Sequence, residues 1–275
     1  MKEFILILAL VIIAQSCAHK DTHDTSTEET KVDSSTSTEN KLPDQGTPTD
    51  AGKLSQESSY VFAFDQDAED VDNNYDMFFL GDVDNLKPYR AKLKGKLISY
   101  ISVGSWEAYR KDEKLLKPFC LRKYSGYPDE CHLDLSKWRS YVDVMLRRID
   151  AVKSKGYDGV YFDNAGMFDD ELGTYKDNVE YLKVLSEYTK FHGLLVGFNN
   201  APDMSKELIN TIDFQVLESC NDAKNCDKYK PVVEAKKPVF HIEFKDKNCY
   251  AVSGHKVSLY KKLSNPIKHC DKISK

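Results

Sequence analysis

"GYDGVYFDNAGMF", from Gly156 to Phe168, decides how the chain is read. Gly156 ends a helical pattern, Val160, Tyr161 and Phe162 make a short apolar strand, and Asp163-Asn164 stop it abruptly. Asp and Asn favour turns, so a single instance reads as a bent loop. The arrangement recurs along the chain, and recurrence changes the reading.

Working outward, seven more short apolar runs read as strands: Tyr60–Phe64, Tyr75–Leu80, Leu97–Val103, Leu194–Phe198, Phe214–Leu217, Pro238–Ile242 and Val257–Tyr260, beside Gly159–Phe162. Between the third and fourth, Trp138, Tyr141, Met145, Ile149 and Val152 fall at helical spacing, with Ser136 as N-cap and Gly156 as C-cap. A second helix is expected from Asn178 to His192, stopping at Gly193, and a shorter one over Met204–Ile212. Eight strands separated by helical connections predict an α/β fold, a (β/α)₈ TIM barrel; a doubly wound sheet is the other architecture this order allows.

In such a barrel the active-site groups stand at the C-terminal strand ends. Those ends read Asp65, then Ser105-Trp106-Glu107 after the third strand, Asp163-Asn164, Asn199-Asn200, Glu218 and Glu243. Turn chemistry accounts for one or two of these, but less well for carboxylates abutting four apolar runs. Side chains alternate along a strand, so Asp163 shares a face with Tyr161, and Glu218 with Val216. One strand separates the two, which sets Asp163 and Glu218 across part of the barrel mouth. Two carboxylates facing one cleft suit cleavage of a glycosidic bond. Trp106 and Tyr161 are candidate platforms for sugar rings.

The two ends of the chain differ in kind. "MKEFILILALVIIAQSCAHKD" has a positive start, an apolar core too short to span a bilayer and a small-residue region before Cys17. Residues 1–16 therefore read as a lipoprotein-type signal peptide, Cys17 as the lipidated residue anchoring the chain to a bacterial membrane, with plain secretion if no lipid is added. Residues 17–58 are Ser, Thr, Asp, Glu, Lys and Pro with almost no apolar side chains, a disordered tether spanning roughly 35 Å. Residues 59–275 suffice for one barrel domain. Six cysteines follow Cys17, and an even count in an exported chain favours disulfides. Neighbour pairing, Cys120–Cys131, Cys220–Cys226 and Cys249–Cys270, is the simplest of the fifteen arrangements. No zinc spacing appears, and "DQDAEDVDNN" (Asp65–Asn74) lacks the Gly and Glu of a calcium loop, so no metal and no cofactor is expected. A net charge of −5 gives no case for nucleic acid. A monomer is expected.

Five blocks, "ISYISVGSWEAYRKD" (Ile98–Asp112), "RRIDAVKSKGYDGVYFDN" (Arg147–Asn164), "GLLVGFNN" (Gly193–Asn200), "VLESCNDAKNC" (Val216–Cys226) and "KPVFHIEF" (Lys237–Phe244), resemble glycoside hydrolase family 114, the endo-α-1,4-polygalactosaminidases. They occur in family order over about Tyr75 to Cys270. The resemblance implies a (β/α)₈ barrel, Asp163 as nucleophile, Glu218 as acid/base, and a Cys220–Cys226 bridge just beyond the acid. The chain departs from the family pattern at Tyr161-Phe162, at Gly166, and at Asn199, where Lys is usual.

The function expected is a surface-tethered hydrolase of an α-linked, galactosamine-rich exopolysaccharide. An acidic cleft of Asp65, Glu107, Asp163, Glu218 and Glu243 would attract a cationic amino-sugar polymer, with Ser105, Trp106, Tyr161, Asn164, Asn199 and Asn200 as further substrate contacts. The alternative is a non-catalytic glycan-binding lipoprotein that retains the barrel; the presence of both carboxylates favours hydrolysis.

Overall fold

Alternation along the eight apolar runs sorts their side chains into an inner and an outer set, and the computed structural model bears this out. It describes residues 54–64, 66–168, 170–259 and 268–270; the signal peptide, Cys17, nearly all of the tether and Asp65 lie outside the described residues. Eight parallel strands follow one another round a barrel wall: β1 Tyr60–Phe62, β2 Met77–Leu80, β3 Lys96–Ser102, β4 Gly159–Asp163, β5 Leu195–Asn199, β6 Phe214–Glu218, β7 Val239–Glu243 and β8 Lys256–Leu259. Each lies within a residue or two of its expected place. A two-residue strand, Lys268–His269, pairs antiparallel with β8. Among the described residues no ladder joins β1 to β8; the Tyr60 hydroxyl donates to the carbonyls of His241 and Lys256 across that join.

The barrel interior is aromatic. Tyr60, Phe62, Phe79, Tyr161, Phe214 and Phe240 form one buried cluster with Met77, Ile98, Val216 and Ile242. Phe62 and Phe79 stack with centroids 4.4 Å apart. Rings of this size leave room for nothing beside them: a Cβ on Gly197 would stand 2.1 Å from the Phe214 ring. The outer faces of the strands pack against the helices in a second, larger cluster.

Two long helices cover that outer face: α1, Trp138–Lys155, and α2, Tyr175–Phe191. The helical stripe of α1 is buried throughout, and Gly156 closes it at φ 90°, a conformation cheap only for glycine. Its start differs from expectation. Asp134, not Ser136, is the cap: its carboxylate accepts from the Ser136 backbone N–H, and a 3₁₀ turn over Leu135–Lys137 leads into α1. The second helix starts three residues earlier than expected because Thr174 and Asp177 form a reciprocal cap. Asn178, taken as its first residue, is instead buried and clamps the preceding loop through Ala165 O and Phe168 N. The expected Met204–Ile212 helix is a 3₁₀ turn, Pro202–Met204, and one helical turn, Ser205–Leu208.

One unit is absent from the sequence reading. Between β3 and α1, the strands Ser105–Glu107, Cys120–Tyr124 and Tyr127–Leu133 form a separate three-stranded antiparallel sheet. The Cys120–Cys131 disulfide ties two of its strands together; Cys220–Cys226 and Cys249–Cys270 are also bridged, as neighbour pairing predicts.

Candidate active site

Strands β4, β5 and β6 end alike. Each finishes on a polar residue aimed inward, Asp163, Asn199 and Glu218, and is followed by a non-glycine residue in the left-handed region: Asn164 at φ 53°, Asn200 at 55° and Ser219 at 58°. Asn tolerates this conformation better than most residues. The reversed backbone turns the chain away from the mouth one residue after each inward group. The abrupt stop at Asp163-Asn164 is thus both a turn and a placement device.

The three inward groups meet. Asn199 Nδ2 donates to Asp163 Oδ1 at 2.7 Å and to Glu218 Oε1 at 3.1 Å. The Tyr100 hydroxyl donates to Asp163 Oδ2 at 3.0 Å, and the Tyr161 hydroxyl to Glu218 Oε1 at 3.3 Å. Asn200 Oδ1 accepts from the Glu218 backbone N–H at 3.0 Å, locking the end of β6 against β5. Asn164 ties β4 to its neighbours, donating to Ser102 Oγ and accepting from the Tyr124 hydroxyl.

Electrostatics separate the two carboxylates. Burial, and then the neighbouring Asp163 charge, push the Glu218 carboxyl up to about 7. Burial also raises Asp163, but Asn199, the Asn164 backbone N–H and Tyr100 all donate to it and pull the other way. Donors aimed at a carboxylate favour its ionised form. The two carboxyls interact closely enough to titrate as a pair.

Other expected contacts fall elsewhere. Glu107 is fully buried rather than open to the cleft: Arg110, Arg148 and the Tyr109 hydroxyl surround it, although its charge still acts on Asp163. Its strand belongs to the inserted sheet, not to the wall, so barrel alternation does not govern where it points. Glu243 is also fully buried. It shares a face with His241 on β7, and Phe240 and Ile242 take the inner one. Its Oε1 accepts from the Asn221 backbone N–H at 2.7 Å and lies 2.7 Å from His241 Nε2. Ser105 is buried with its hydroxyl 2.6 Å from that of Ser102. Trp106 donates to Glu113 O and packs against the outer core. Tyr161 stands beside the carboxylates, but its ring is buried in the barrel interior and only its hydroxyl reaches Glu218, so neither offers a sugar platform. The five-carboxylate cleft therefore reduces to Asp163 and Glu218, with Asp65 outside the described residues.

The inserted sheet adds what sequence reasoning missed. Glu130 lies close enough to Asp163 for that charge, after burial and Glu107, to help raise its carboxyl, and Ser105 donates to it at 3.4 Å. Tyr124, stacked on His132 at 4.2 Å, reaches Asn164 from the same sheet. A groove of about 700 Å³ opens beside Tyr100, lined by Phe64, Asp82, Tyr109, Arg110 and Arg147 among others. Its mixed charges contrast with the acidic pair.

The profile of glycoside-hydrolase family GH114 matches residues 41–272. No curated protein sequence matches the chain. Among solved structures, Aspergillus fumigatus Ega3 in complex with galactosamine is similar with a TM-score of 0.72 and 22% identity, covering 82% of this chain and 100% of Ega3. The glycoside hydrolase domain of PelA from Pseudomonas aeruginosa has a TM-score of 0.54 and 15% identity, covering 74% of this chain and 94% of its own. At such identities these two likenesses speak for the barrel alone. The profile match, running through the barrel and every block that carries the acidic pair, is what assigns the chemistry: the chain is a glycoside hydrolase and belongs to family GH114.

Proposed function

We propose that the chain hydrolyses an α-linked, galactosamine-rich polysaccharide by a retaining mechanism, with Asp163 as nucleophile and Glu218 as acid/base. The observation that carries this reading is the Asn199 amide bonded to both carboxylates. Two oxygens held by one nitrogen at 2.7 and 3.1 Å are closer than the roughly 6.5–9.5 Å an inverting pair needs for its water. Glu218, raised to about 7, holds a proton near neutrality and delivers it to the leaving oxygen. Asp163, whose three donors favour its ionised form against burial, attacks the anomeric carbon; Glu218, now a base, then activates the water that releases the sugar. Galactosamine as the sugar rests on the family and on the galactosamine bound in the Ega3 structure.

Incubating the domain with α-1,4-linked galactosamine oligomers and following the anomeric proton signals by NMR tests both parts. The α anomer should appear first. A first-formed β anomer overturns retention, and cleavage of other polymers in preference to these overturns the sugar. Outside the barrel, the reading includes export and a lipid on Cys17, so Cys17→Ser should move the protein from the membrane fraction to the soluble one.

A further inference from the structure

Outside the barrel wall, behind Glu218, a second constellation has no part in the glycosidase reading. Cys220, Cys226, His241 and His255 each bring a donor atom within 4.8 Å of the others. They come from the turn after β6, from β7 and from the loop before β8. Cys220 and His241 are fully buried, and His255 is 8% exposed. The two sulfurs are bonded to each other, yet two polar atoms beside them have no partner: His255 Nδ1 and Glu243 Oε2. A disulfide needs neither histidine. Burying two imidazoles and a carboxylate against it costs solvation, and at His255 Nδ1 and Glu243 Oε2 no hydrogen bond offsets that cost.

The same residues meet the requirements of a different occupant. Two thiolates and two imidazoles are a standard zinc set, with bonds of about 2.0–2.3 Å in a tetrahedron. A ligating histidine usually has its second ring nitrogen held by a carboxylate, which fixes the tautomer and aims the ring. His241 has a carboxylate at hand for this: its Nε2 lies 2.7 Å from Glu243 Oε1. Cys220 Sγ is 3.4 Å from Nε2 and 3.7 Å from Nδ1, so with Nε2 held by the carboxylate Nδ1 is the nitrogen that would ligate. Glu243 is itself anchored by the Asn221 backbone N–H. Four candidate ligands and a carboxylate anchored beside one of them are therefore gathered in one place.

We propose that Cys220 and Cys226 close the turn after Glu218 in two alternative ways: by their disulfide when oxidised, and through a zinc ion shared with His241 and His255 when reduced. A dithiol or phosphine reductant gives two electrons and, with solvent, two protons to the S–S bond, yielding two thiols and the oxidised reductant. Zinc then displaces both thiol protons and binds two thiolates and two neutral imidazoles. Either closure leaves Asn221 against Glu243 and so keeps the end of β6 in place. The histidines stand fifteen and more residues beyond Cys226 on other elements, which is why no zinc spacing is visible in the sequence.

The test uses the full chain reduced with a phosphine and titrated with cobalt, then with zinc. Cobalt should bind with a thiolate charge-transfer band and tetrahedral d–d bands. Zinc should protect Cys220 and Cys226 from alkylation while Cys120, Cys131, Cys249 and Cys270 stay reactive. Glu243→Gln, which removes the support and no ligand, should weaken cobalt binding about 10–100-fold. The proposal is overturned if the reduced chain takes up no cobalt, if its spectrum lacks thiolate ligands, or if zinc protects all six cysteines equally or none.

Discussion

Strands β6 and β7 are neighbours of equal length, both apolar and both ending on glutamate, yet their glutamates have opposite fates. Glu218 pairs across the ladder with Ile242, so it shares the inner face and enters the mouth. Glu243 stands one residue beyond Ile242 and therefore points outward, into a buried polar cluster behind the wall. A single step of alternation sets one carboxylate at the barrel mouth and the other behind the wall. Burial is common to both; what differs is whether the group is left room to exchange a proton with something other than its protein partners.

The largest effect should come from Glu218→Gln and Asp163→Asn. Each should fold, with turnover down by about 10²–10⁴-fold or more. Glu243→Gln should keep turnover per folded molecule but cost about 1–3 kcal/mol, read as a Tm lowered by several degrees. Exchanged results, with activity lost at Glu243 and stability lost at Glu218, would break the comparison. Asn199→Ala comes next, since it removes the donor common to both carboxylates; kcat should fall by about 10²–10³-fold, as for other preorganised donors. Tyr100→Phe removes one of three donors from Asp163. Its proton affinity should rise, and the acid limb of the pH–rate profile should move to higher pH, measured by kcat/KM across the acid range.

The smallest effect is on stability against pH, and its sign follows from Glu218. Its folded carboxyl titrates near 7, above the ordinary 4.5. A raised carboxyl stabilises the folded state below its unfolded value and loses that contribution as pH rises through the folded one. Wild type should therefore lose Tm relative to Glu218→Gln between pH 5 and 8, by a few degrees. Melts of the two proteins that run parallel across that range would mean Glu218 is not perturbed by burial.

Much of this was legible beforehand, and the exceptions share a cause. The eight strands, the helical stripe of α1 and the inward pair all follow from apolar periodicity, because one face of each element is buried. The inserted sheet has no such face: Cys120–Tyr124 is exposed along most of its length, so no alternation announces it, and Glu130 and Tyr124 arrive unseen. A turn signal at Ser125-Gly126, where Gly126 has φ 83°, was the available clue. Glu107 and Glu243 were misplaced for a related reason. Adjacency to an apolar run marks a strand end, but only the register against a neighbouring strand tells which way its last residue faces.

The join between β1 and β8 has a consequence for how the barrel breathes. Every other pair of neighbouring wall strands is held by a parallel ladder, whereas among the described residues this join shows the Tyr60 hydroxyl bonds and the ion pair of Lys256 with Glu57. Amide protons along this edge should exchange with deuterated solvent ahead of those in β3, β4 and β5, since local opening needs few bonds to break. The carboxylate pair lies on the far side of the circle, on β4 and β6. Opening at this join leaves the Asp163 and Glu218 carboxylates in place.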